Sequence, residues 1–317
     1  MEYIFTTTLP IYLGMALGYI AVRLGWLDRS DVKTLGKFTV RIGIPALLFK
    51  SIAHQRPGSV LNPDYLFIYA LGSLAAMGTV LLVATRILRR PLSLAALEGL
   101  GASTSNSLFL GYPIALQVLG PVAGLALALC MLVENLLIIP LGLALMELQV
   151  DGGKRHFGRM VRTTLYNLVR NPMIVAMVAA LLLAASGLHL PEVLERFIAV
   201  TGNATSPVAL FVIGGSLVGI ELRGIRSDIV LIVLGKLLLH PLCVLGLVLL
   251  MPPSNPLLGT AAVLFAAVPM MSIYPVLAQR HGHERLCSAA LLGATITSFI
   301  TVALWLALLP AQWLPAH

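Results

Sequence analysis

Apolar runs about as long as a bilayer crossing alternate with short clusters of charge along most of the chain. A spanning helix needs roughly 20 mainly apolar residues. Ten windows fit: 5–23, 35–53, 64–88, 93–118, 121–148, 165–187, 197–220, 227–251, 256–279 and 286–310. The pattern predicts an all-α integral membrane protein with ten transmembrane helices. Two windows depart from a simple span. GASTSNSLFLGYPIAL (101–116) sets Ser103, Thr104, Ser105, Asn106 and Ser107 and then Tyr112-Pro113 near the middle of the fourth. AAVPMMSIYP (266–275) sets Pro269, Ser272, Tyr274 and Pro275 near the middle of the ninth. Irregular backbone at that depth is tolerated only where protein buries it or a watery cavity receives it. The two windows are therefore expected to be broken helices whose breaks meet. Their half-helix N-termini, with free N–H groups, suit an anion.

Shifting the chain by 162 residues lays Pro10 on Pro172, Pro45 on Pro207, Pro91 on Pro253 and Pro113 on Pro275. The neighbours agree: PALLF (45–49) falls on PVALF (207–211), and LGYPIAL (110–116) on SIYPVLA (272–278). Short apolar matches arise easily. Prolines matched inside spans are harder to dismiss, because each removes a backbone donor and clashes with the preceding turn. The shift carries span one onto span six, an odd number of crossings, so the repeat is inverted. Inverted repeats with interrupted segments at corresponding places point to a secondary transporter. The expected organisation is a first five-helix repeat (1–150), a cytoplasmic linker (151–164) and an inverted second repeat (165–317).

Composition fits an integral membrane protein: 58% of residues are apolar, 11% are charged, and mean hydropathy is +0.95. Of the 21 Lys and Arg residues, 15 follow the first, third, fifth, seventh and ninth spans. By the positive-inside rule both termini lie outside. The net charge of +8 follows from this asymmetry and gives no support to nucleic-acid binding. MEYIFTTTLP lacks a basic n-region and reads as the start of a retained span. The basic stretch 158–172 suits the inner leaflet. Cys130, Cys243 and Cys287 lack ligand spacing and are assigned to packing, with no disulfide, metal or cofactor implied. Gly14 and Gly18 form a small-xxx-small packing pair. No paired-Asp, Ser/His or HExxH arrangement of an intramembrane enzyme occurs in the spans.

Ionisable residues within spans are functional candidates, since each costs about 2.5 to 3.5 kcal/mol to insert. Glu134, followed by Asn135, lies near the middle of span five. Lys236 lies mid-span in the eighth, with His240 one turn further on. A buried Lys236–Glu134 ion pair would only fix packing; functionally, Lys236 would attract an anion and Glu134 would accept a proton. His240 is expected to bond a neighbouring carbonyl. Lys37 and Arg41 are expected to snorkel as anchors, and Glu98 to face cytoplasmic water.

RIGIPALLFKSI (41–52), TSNSLFLGYPIAL (104–116), VENLLIIPLGLAL (133–145), SPVALFVIGGSL (206–217) and LGKLLLHPL (234–242) together resemble the auxin efflux carrier family. That family includes plant auxin carriers and bacterial permeases for malonate or malate. The resemblance spans essentially the whole chain. It implies two inverted five-span repeats with crossing broken helices four and nine, similar to bile-acid symporters and sodium/proton antiporters. A transport domain of helices 3–5 and 8–10 would rock against a scaffold of helices 1–2 and 6–7, in a homodimer in the bacterial inner membrane. The substrate would be a small organic carboxylate anion. The family's crossover prolines correspond to Pro113 and Pro275, its fifth-span Asn to Asn135 and its eighth-span Lys to Lys236. The expected binding set is Ser105, Asn106, Tyr112, Pro113, Asn135, Lys236, Ser272, Tyr274 and Pro275. Glu134, where relatives carry small apolar residues, is the coupling-ion candidate. It resembles an antiporter cation site, which leaves proton or sodium coupling open and makes a cation/proton exchanger the alternative function.

Overall fold

A computed structural model describes residues 2–53, 62–147, 166, 170–219 and 227–309. The expected linker (151–164) and most of the basic stretch 158–172 lie outside the described residues. Within them the chain is all-helical, without strands.

The helices in order are α1 (Glu2–Arg23), α2 (Arg29–Phe38), α3 (Ile44–Ala53), α4 (Pro63–Leu82), α5 (Leu92–Ser103), α6 (Tyr112–Leu119), α7 (Val122–Val133) and α8 (Ile139–Glu147). There follow α9 (Pro172–Ser186), α10 (Glu192–Asn203), α11 (Thr205–Ser216), α12 (Ser227–Leu234), α13 (His240–Leu250), α14 (Pro256–Ala267), α15 (Tyr274–Ala278) and α16 (Glu284–Leu308). Five continuous helices are long and apolar enough to cross a membrane: Pro63–Ile87, Val122–Glu147, Glu192–Ser216, Ser227–Leu250 and Glu284–Leu308. Leu9–Arg23, Pro172–Ser186 and Pro256–Ala267 are shorter apolar helices. The second window sits in a helical stretch loaded with Lys33, Lys37, Arg41 and Lys50, and the fourth is divided after Ser103.

Local sequence accounts for the helix starts. Asn62, Asn171 and Asn255 each accept a first-turn N–H, from Tyr65 (2.8 Å), Met173 (3.0 Å) and Leu257 (3.0 Å). Each is followed by a proline at the first helical position, where a missing N–H costs nothing.

Prolines also shape the interiors. The π turns Thr39–Gly43, Ser107–Gly111, Glu134–Ile138 and Gly235–Leu239 each end two residues before a proline: Pro45, Pro113, Pro140 and Pro241. A proline cannot bond the carbonyl one turn back and clashes with it. Widening that turn by one residue moves the carbonyl aside and keeps the helix going. A fifth π turn, Val83–Ile87, extends α4.

In the packing, α1 lies along α11 and α9 along α3, while α4 packs against both α5 and α13. Gly18 and Gly214 allow the first of these contacts. A Cβ on Gly18 would overlap the Phe211 carbonyl, and one on Gly214 the Met15 carbonyl. The outer surface carries Leu13, Leu182 and Leu250 exposed, as lipid-facing positions require.

Candidate functional site

Both breaks follow from side-chain chemistry. At the end of α5, Ser103 and Thr104 turn their hydroxyls onto the carbonyls of Gly99 (2.8 Å) and Leu100 (2.7 Å). This local bonding competes with helix continuation, and Thr104 is extended at φ −109°, ψ 153°. At the end of α14, Val268 precedes Pro269 and is extended at φ −76°, ψ 158°, as a residue before proline prefers. The two breaks bond to each other: Asn106 N–H donates to the Pro269 carbonyl (2.7 Å), and Asn106 Nδ2 to Ser272 Oγ (2.9 Å).

Beneath them lies a buried polar network. Lys236 is fully buried. It donates to Ser105 Oγ (2.7 Å), to the Ala266 carbonyl (2.8 Å) and to His240 Nδ1 (2.8 Å), using all three ammonium protons. With Nδ1 accepting, the His240 proton sits on Nε2 and is donated to Ser73 Oγ (2.9 Å). Glu134 Oε1 accepts the Ser105 N–H (2.8 Å) and the Tyr69 hydroxyl (3.1 Å). Tyr69 and Ser105 hydroxyls are 3.0 Å apart. Because Tyr69 gives its proton to Glu134, Ser105 gives its own to Tyr69. The network is thus ordered from Lys236 through Ser105 and Tyr69 to Glu134. Such chains polarise along their length. Lys236 and Glu134 are not in ion-pair contact; Ser105 stands between them.

The π turns explain why these side chains converge. Glu134 opens one and Lys236 is the second residue of another. Trp305 Nε1 donates to the Leu237 carbonyl (2.9 Å) inside the latter, anchoring the widened turn.

Of the expected site residues, Ser105, Glu134 and Lys236 form one cluster, and Asn106 and Ser272 a second beside it. Pro113 and Pro275 open the short helices α6 and α15 beyond the breaks. Asn135 bonds its own helix at the Met131 carbonyl (2.9 Å). Tyr112 is buried. Tyr274 donates to the Leu97 carbonyl (3.0 Å) and packs over Gly101, where a Cβ would strike its ring. It bridges the two broken helices. Tyr69 and Ser73 join the site without having been singled out by sequence, and Pro269, marked there as part of the ninth-span break, joins it through its carbonyl.

Two expectations are corrected. His240 bonds Lys236 and Ser73 side chains instead of a carbonyl. Glu98 does not face water: it is fully buried, with the Asp228 carboxylate beside it. The packing of α5 on α12 brings it beside Asp228, which Arg90 pairs at 2.7 Å.

Apolar helices long enough to cross a membrane, enclosing a polar centre at two helix breaks, define a multi-pass membrane protein of the transport class. Residues 3–306 match the family described as Membrane transport protein, and the chain belongs to it, the auxin efflux carrier family. It is 27% identical to a protein of Rhizobium meliloti named "Putative malonate transporter", over 97% of this chain and 96% of that one. It is 26% identical to an "Uncharacterized transporter" of Methanothermobacter thermautotrophicus, over 94% and 96%. A "Lysosomal cholesterol signaling protein" of Mus musculus is 27% identical over 71% of this chain and 27% of its own length.

Proposed function

We propose that the chain is a secondary carrier for a small organic carboxylate anion, auxin-like or a dicarboxylate such as malonate or malate. It works by alternating access around crossing broken helices. The observation that carries this reading is the bond from Asn106 N–H to the Pro269 carbonyl. It holds the two breaks together, so that the helix ends of both face one place, and Lys236 lies directly under them.

Ten spans in two inverted repeats complete the reading, and paired contacts support it. Arg90 pairs with Asp228, and Ser254 N–H donates to Asp64. Arg90 lies just before the fourth span and Asp228 opens the eighth, while Ser254 lies just before the ninth and Asp64 opens the third, so the two contacts join corresponding element ends with the halves exchanged. The α1–α11 and α9–α3 packings are counterparts in the same way. The bond between Asn106 in the fourth-span break and Pro269 in the ninth-span break is consistent with a pseudo-twofold relation between them. Helices 3–5 and 8–10 then form the transport domain and helices 1–2 and 6–7 the scaffold. The termini lie outside a bacterial inner membrane, and the scaffold forms the homodimer. Glu134 is the coupling site, for a proton or sodium.

Uptake of labelled malonate, malate and an aromatic acetate into proteoliposomes, with and without an inward proton gradient, tests the function. Saturable uptake of one anion is the expected outcome. If none moves while sodium dissipates a pH gradient, the fold is serving a cation/proton exchanger instead.

A further inference from the structure

Arg29, Lys33 and Lys37 recur every four residues on α2, and Arg41 continues the series into the π turn Thr39–Gly43. All four line one open cavity of about 540 Å³. The same cavity is lined by Phe109 beside the first break, by Ser272 and Ile273 of the second, and by Val212 and Ser216 of α11. Arg29 is occupied, donating to the Val218 carbonyl (2.9 Å). Lys33, Lys37 and Arg41 make no hydrogen bond or ion pair among the described residues.

Topology alone does not explain the row. The positive-inside rule places cations in loops beside span ends. Arg41 is twelve residues beyond Arg29, about 18 Å further along the helix at 1.5 Å per residue. Nor does the shared architecture require cations there. The 162-residue shift sets Pro191, Glu195, Ala199 and Asn203 at the corresponding positions of the second half. The neutral wall is equally incomplete. Ser272, which lines the cavity, accepts from Asn106 Nδ2, so its own hydroxyl proton remains for another acceptor.

We propose that Lys37 and Arg41, with Lys33 at the mouth, hold the second carboxylate of a small dicarboxylate whose first carboxylate meets Ser272, itself held by Asn106. The row thereby selects dianions over monoanions. This rests on the carrier reading above. It also replaces the expectation that Lys37 and Arg41 are only anchors. Charge-assisted contacts are about twice as strong as neutral ones, and a monoanion can satisfy only one wall.

The test is malonate uptake by wild type, K37Q/R41Q and K37R/R41K in phosphatidylcholine vesicles, with acetate as competitor. The KM of K37Q/R41Q should rise about tenfold or more, with the maximal rate little changed and the preference for malonate over acetate lost. K37R/R41K should keep both. An unchanged KM and preference in K37Q/R41Q overturns the proposal and leaves the carrier reading intact. If wild type moves no carboxylate, thermal unfolding in detergent separates the two. Malonate stabilising wild type but not K37Q/R41Q upholds the site without the transport. No stabilisation of wild type overturns the site as well. Vesicles containing phosphatidylglycerol provide the last arm. If that lipid abolishes the malonate response, and copurifies with wild type but not with K37Q/R41Q, the row binds lipid headgroups and the proposal falls.

Discussion

Lys236 and Ser105, 131 residues apart, share a 2.7 Å hydrogen bond, and the same ammonium reaches the Ala266 carbonyl at the end of α14. One buried cation therefore ties the first break to the helix end that precedes the second. That carbonyl is among the last of its helix, where a cation is favoured. Removing the ammonium leaves three buried partners without a donor. Lys236→Ala should cost about 3 to 5 kcal/mol of stability and abolish uptake together. Thermal unfolding alongside uptake reads both. A variant as stable as wild type would show that the network does not hold the breaks.

Asn106→Ala is the cleaner probe of binding. The backbone bond to Pro269 survives it, and only the amide contact to Ser272 is lost, a cost of about 1 kcal/mol. Uptake should nevertheless fall by about tenfold or more if the amide meets the substrate, equivalent to 1.4 kcal/mol or more. Full uptake by a normally folded Asn106→Ala protein would remove this residue from the site.

The ordered chain from Lys236 to Glu134 predicts non-additivity. Ser105→Ala removes the hydroxyl that accepts from Lys236 and donates to Tyr69, yet leaves the Ser105 N–H on Glu134. Tyr69→Phe removes the next link. Each should destabilise by about 1 to 3 kcal/mol. The double variant should cost less than the sum, with a coupling of about 0.5 to 3 kcal/mol. Simple additivity in denaturation would mean that the two hydroxyls act independently.

Much of this was legible in the chain because proline and buried charge are costly in a span wherever they fall. Pro113, Pro275, Glu134 and Lys236 could be marked without coordinates for that reason. Side-chain direction was not legible. A π turn adds a residue to one turn and rotates everything after it, so the 3.6-residue period that relates neighbours on a regular helix fails near Glu134 and Lys236. The spacing of those turns from Pro140 and Pro241 is a usable signal in retrospect. Tyr69 reads as a core aromatic among apolar neighbours, and its hydroxyl partners lie 36 and 65 residues away. Glu98 sits six residues after the start of α5 and looks close to the surface. It is buried because α5 packs against α4, α8 and α12.

Glu134 bears on coupling. It is the carboxylate that reaches the first break directly, through the Ser105 N–H. If it takes up and releases the coupling proton, Glu134→Gln should still bind substrate and exchange it. Net uptake should then no longer respond to an inward proton gradient. Exchange and gradient-driven uptake measured on the same vesicles separate these effects. A Glu134→Gln carrier that still responds to the gradient would make this carboxylate structural.

The two counterpart contacts at the helix ends differ in strength, and the difference predicts an unequal response. Arg90 grips Asp228 through two bonds, Nε to Oδ1 (2.7 Å) and Nη2 to Oδ2 (3.0 Å), and Glu98 lies buried beside them. Ser254 meets Asp64 at an exposed position. Arg90→Ala leaves two buried carboxyl groups without their cation and should cost about 3 kcal/mol or more. Ser254→Ala, with water available to Asp64, should cost about 1 kcal/mol or less. Glu98 supplies the internal control, because it is the second buried carboxyl group beside Asp228. Glu98→Gln removes one of the two carboxyl groups, so Arg90→Ala/Glu98→Gln should unfold at a higher temperature than Arg90→Ala alone. If Glu98→Gln instead deepens the loss, Glu98 and Asp228 do not repel one another once Arg90 is gone, and the Glu98 carboxyl contributes to holding this end of the helices.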